Sequence, residues 1–143
     1  MPETDTTGPG QRSTAALPML VGLGLLVGCW AFLPPYTGPA LNTSDRVEFV
    51  DHVVPAIVII TISVLAFLFG RRPAGTSVLF PAGLGIFLAG FWMTATHAPL
   101  VLQATRDQAP WGATIYHGAP GLAVLALGAS WAFTFRTLAE DDT

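Results

Sequence analysis

The chain has 143 residues, of which 52% are hydrophobic and only 10% charged, with a mean hydropathy of +0.58. A soluble domain carries roughly 25% charged residues, so this chain has too little charge to coat a water-facing surface. A net charge of −3 leaves no basic footprint for nucleic acid.

The charges fall in clusters: Glu3, Asp5 and Arg12 near the N-terminus, Asp45 to Asp51, Arg71 with Arg72, Arg106 with Asp107, and Arg136 to Asp142. Uncharged apolar runs separate them. Residues 1–14 are polar and rich in Thr, Gly and Pro, and read as a disordered cytoplasmic tail. The first run, Ala15–Leu33, contains Cys29, the lone cysteine, which reads as a small buried apolar side chain. The second run is Val53–Gly70, the third Val78–Thr94 and the fourth Ala119–Phe135. Each approaches the ~17–25 residues that cross a bilayer core, where only segments that satisfy their own backbone survive. The expected fold is an all-α integral membrane protein: four transmembrane helices as two tandem helix hairpins. Residues 15–70 form the first hairpin, 71–77 a cytoplasmic loop, 78–136 the second hairpin and 137–143 an acidic cytoplasmic tail.

Arginine placement sets the expected orientation. Arg12, Arg71, Arg72 and Arg136 lie on one side of this layout, and Arg46 and Arg106 on the other. The positive-inside rule then places both termini in the cytoplasm. Trp30, Trp92 and Trp131 fall near the expected helix ends, where indole rings favour the interface.

The halves share landmarks in the same order. Gly22 and Gly24 match Gly83 and Gly85, Gly28 and Trp30 match Gly90 and Trp92, and His52-x-x-Pro55 matches His117-x-x-Pro120. Both copies would cross the membrane in the same direction, as parallel repeats about an axis along its normal. The stretch "GCWAFLPPY", Gly28 to Tyr36, resembles the signature of the SPW-repeat integral membrane proteins. Here Pro34, Pro35 and Tyr36 stand at the signature, and the second copy has Thr96, His97 and Ala98; neither is a literal Ser-Pro-Trp. The resemblance implies a small prokaryotic plasma-membrane protein of tandem helix pairs and supplies no catalytic residue.

Gly24 with Gly28, Gly85 with Ala89, and Gly121 with Gly128 give small-residue faces for close helix packing or a homo-oligomer contact. Pro55 and Pro120 sit in the first helical turn if their helices start near Asp51 and Tyr116, and kink them if they start earlier. Asp51 reads as a cap or as a charge partner of Arg46.

Two function classes remain. The helices hold only Thr61, Ser63, Thr94, Ser130 and Thr134 as polar groups, with no nucleophile–base pair or paired carboxylates, so neither enzyme nor transporter is indicated. The first expectation is a structural or accessory membrane protein, without a cofactor, whose partners are the bilayer and other membrane subunits or copies of itself. The alternative is an extracytoplasmic metal- or haem-binding protein. His52, His117 and Asp51 would form its binding residues, and His52, His97 and His117 its metal ligands, because neutral imidazoles suit Zn, Cu, Ni or Fe. Against this, a histidine at a helix entrance also reads as a wetted interfacial residue.

Overall fold

With no water to satisfy stray peptide groups, a hydrocarbon-spanning backbone must close its hydrogen bonds internally. In the computed structural model the backbone is described for residues 9–37, 45–71 and 78–141, and side chains for 16–37, 46–71 and 78–136. Among these residues every regular element is helical: α1 (Pro9–Phe32), α2 (Asp45–Glu48), a π turn (Phe49–Val53), α3 (Val54–Phe69), α4 (Leu79–Ala104) and α5 (Trp111–Asp141). Among the described residues, three continuous helices are long and apolar enough to cross a membrane: Arg46–Phe69, Leu79–Ala104 and Trp111–Arg136. The apolar part of α1, Ala16–Phe32, is shorter. Large apolar side chains cover the outside, among them Phe67, Leu88, Phe91, Leu122 and Phe133, the last 74% exposed. Water would penalise so continuous an apolar coat, whereas lipid accommodates it.

The helices are longer than the apolar runs. The backbone is helical from Pro9, a residue suited to the first helical position, so residues 9–14, expected in a disordered tail, belong to α1. At the other end α5 continues to Asp141, which makes most of the expected 137–143 tail helical. Residues 1–8, 142–143 and most of the 71–77 loop lie outside the described residues. The run before Val53 begins at Asp45, α4 passes Thr94 to end at Ala104, and α5 begins at Trp111 rather than Ala119. Pro55, Pro99 and Pro120 therefore lie inside continuous helical rods. Membrane helices accept such prolines through local π and 3₁₀ adjustments.

One adjustment is visible. Pro55 lacks the N–H that would bond the carbonyl of Asp51. Just ahead of it the backbone widens into the π turn, and the N–H of Val54 bonds the carbonyl of Phe49, five residues back. Short π segments of this kind re-aim side chains and recur at functional sites. Here the re-aimed side chain is His52, which is 1% exposed.

α1 packs on α3 and α4 on α5, and the pairs join through α1 against α5 and α3 against α4. The connections differ. α4 turns into α5 through Thr105–Pro110, where Asp107 takes a left-handed φ of 57°. The N–H of Gln108 returns to the carbonyl of Gln103 and that of Asp107 to Ala104, the paired bonds of a Schellman cap. Asp tolerates that conformation better than most residues.

The core contains Leu20, Ala56, Ile59, Ile86, Met93, Val124, Trp131 and Phe135. Trp131, expected at the interface, is fully buried in it. Trp30, near the end of α1, is exposed; Trp92 is exposed too, but at the middle of α4 rather than near the expected helix end, because α4 runs on to Ala104. Cys29, expected inside, is exposed, because α1 turns its Gly28 rather than its Cys29 toward α3.

Candidate metal centre

His52 sits eight residues into the rod that begins at Asp45, His97 eight from the end of α4, and His117 seven into α5. These rods alternate in direction, so at 1.5 Å per residue all three histidines fall at one level, about 10 Å inside one end of the bundle. Each also precedes a helix-interior proline, in His52-x-x-Pro55, His97-x-Pro99 and His117-x-x-Pro120. All three are buried, at 1%, 7% and 1% exposed. The wetted interfacial position expected for them does not hold, since the helices run well past each one.

Their rings converge. His52 and His97 have centroids 4.6 Å apart, His52 and His117 5.4 Å, and His97 and His117 6.4 Å. One ligand atom from each lies within 4.8 Å of the others. Nε2 of His97 is 3.0 Å from Nε2 of His52.

Hydrogen bonding limits the tautomers. Nδ1 of His97 is 2.7 Å from the carbonyl oxygen of Met93, and a carbonyl only accepts. Nδ1 therefore carries a hydrogen, and in the neutral ring Nε2 presents its lone pair to His52. A backbone carbonyl fixing the far nitrogen is the usual support for a metal-binding imidazole. The Ala31 backbone lies against the His52 ring, and Nδ1 of His52 makes no hydrogen bond of normal length.

Asp51 stands beside the triad, with its carboxylate accepting a hydrogen bond from the Trp92 side chain and facing His97. Those are its neighbours in place of the expected Arg46 or a cap, because Asp51 belongs to the π turn inside the rod. A cavity of about 190 Å³ reaches the histidines between the π turn and the C-terminal half of α4. Its walls include Glu48, Asp51, Thr96 and Gln103.

Sequence reasoning nominated His52, His97, His117 and Asp51, and the fold brings all four together. Trp92, Met93, Thr96 and Gln103 were not foreseen as surroundings of the site. Helical spacing would have included Met93, four residues before His97 and so on its face of the helix; Trp92 was read only as an interface anchor. Three of the five helix hydroxyls weighed for a transport path bond their own backbone: Thr94 donates to the Gly90 carbonyl, Ser130 to Ala126 and Thr134 to Ser130.

No protein-family model, curated protein or solved structure matches the chain.

Proposed function

We propose that the protein is a membrane protein with a three-histidine metal centre, formed by His52, His97 and His117. The observation that carries this reading is the grouping of three buried imidazoles, with one ring nitrogen from each within 4.8 Å of the others. Buried ionisable side chains in a bilayer are costly and mark functional sites, and three neighbouring imidazoles are donors that one cation can share. Two imidazoles on a tetrahedral ion with bonds of ~2.0–2.1 Å are about 3.4 Å apart, close to the 3.0 Å between the Nε2 atoms of His52 and His97. A haem between them would require an axial separation of about 4 Å and a slot for the porphyrin, so a bare ion fits better. All-nitrogen ligation suits Zn, Cu, Ni or Fe.

The four-span layout belongs to the same reading. α1 would complete two tandem hairpins, with both termini cytoplasmic and the centre near the extracytoplasmic face of a prokaryotic plasma membrane. Packing register supports the duplication: aligning Gly28 with Gly90 and His52 with His117 also aligns the facing residues Ile60 and Leu125. His97 falls opposite Pro35 in that alignment, which makes three ligands rather than four. The SPW-repeat resemblance and an accessory, non-enzymatic role beside other membrane subunits are compatible with such a centre.

Metal analysis of protein purified in mild detergent tests the reading. About one equivalent of transition metal is expected in the parent protein, and a loss of at least ~tenfold in affinity in the His52→Ala/His117→Ala variant. Equal, near-zero content in both after incubation with Zn, Cu, Ni and Fe would sink it.

A further inference from the structure

Three histidines leave a tetrahedral ion one ligand short. The cavity beside them decides what can complete it. Its inner wall is His52, His97 and His117, and its mouth is marked by exposed Val47, Pro99 and Gln103. The volume of about 190 Å³ equals about six waters at roughly 30 Å³ each. That admits a five-membered ring but no large substrate. The charged side chains in its lining are Glu48 and Asp51, both carboxylates. Asp51 lines the cavity beside His97, so an acceptor already stands next to the ligands.

Resting on the metal centre proposed above, we infer that its fourth coordination position opens into this cavity and takes a small neutral ligand bearing an N–H or O–H, such as water, an alcohol or an azole, in preference to an anion. The metal accepts the ligand's lone pair, and a cavity carboxylate accepts its hydrogen. An anion without a hydrogen, such as azide, leaves the cavity carboxylate without a donor and sets a like charge beside it, against the attraction of the metal itself. A donor group satisfies both ends of the site at once.

Cobalt(II) reports on its own coordination through its visible spectrum, so the cobalt-loaded full chain in mild detergent is the test object. Imidazole and azide are titrated separately, with bound cobalt measured throughout. Imidazole is expected to change the spectrum while cobalt stays bound, and azide to need about tenfold higher concentration. In Asp51→Asn that ratio is expected to fall toward unity. Glu48→Gln, a full helical turn before His52, is expected to narrow it as well and controls for damage to the neighbouring ligand. Retained cobalt with a spectrum that neither ligand alters would show a closed fourth position and overturn the inference. Azide binding as tightly as imidazole in the parent protein would also overturn it. Failure to take up cobalt is a different result, because it removes the metal centre itself.

Discussion

The two helix pairs, α1 with α3 and α4 with α5, differ in closeness. In the first, a side-chain atom added to Gly28 would meet Cγ1 of Ile60 at 2.7 Å, and one added to Gly24 would meet the Ser63 hydroxyl. In the second, the same test at Gly90 meets the backbone of Leu125, at Gly121 the backbone N of Thr94 at 2.9 Å, and at Gly128 the backbone of Phe87. α1 and α3 thus touch through side chains, whereas α4 and α5 touch through their main chains. Lipid gives helices no hydrophobic reason to associate, so close packing must supply the attraction. The second hairpin has the closer contact and a tight capped turn. It carries two of the three histidines, and the first brings His52 to them on a rod reshaped by Pro55.

This difference predicts a ranking of substitutions, read as unfolding free energy in mild detergent. Gly128→Leu forces apart two backbones that cannot rotate away, and is expected to cost ~3 kcal/mol or more. A cost near that of the corresponding change at Gly24 would remove the distinction between the hairpins. Gly24→Ala presses on a side chain that can turn, so its expected cost is about 1 kcal/mol. Ser63 aligns with Gly128 in the other hairpin, and its buried hydroxyl makes no hydrogen bond. Combining Gly24→Ala with Ser63→Gly is expected to return stability to within roughly 0.5 kcal/mol of the parent; simple addition of two penalties would show that the hydroxyl is not the obstacle. The smallest effect belongs to Gly22, which has open space around an added side-chain atom. Gly22→Ala is expected to leave stability unchanged or to raise it by up to ~1 kcal/mol, the helix-propensity gain of alanine. A clear loss there would place a partner against α1 that this chain does not itself provide.

Proline position was the feature most easily misread from sequence. Pro55 and Pro120 look like helix beginnings, since proline disfavours a helical residue before it. In a bilayer the alternative to a distorted helix is an unsatisfied backbone, so the helices continue through them. Once α4 runs on to Ala104, His97 moves from the expected end of its helix into the bundle. Trp131 and Cys29 exchange their expected environments for a related reason. Hydropathy says that a segment is in lipid without saying which of its faces meets another helix.

The sequence by itself determined the helical class, the apolar spans, the small-residue positions and the residue types able to hold a metal, because these depend on composition and on local hydrogen bonding. Only the tertiary structure decided that His52, His97 and His117 meet. Their meeting depends on the rotation of each helix about its axis, on a π turn that re-aims one side chain, and on the level at which three rods lie side by side. Those quantities come from packing between segments distant in the chain, and hydropathy does not encode them.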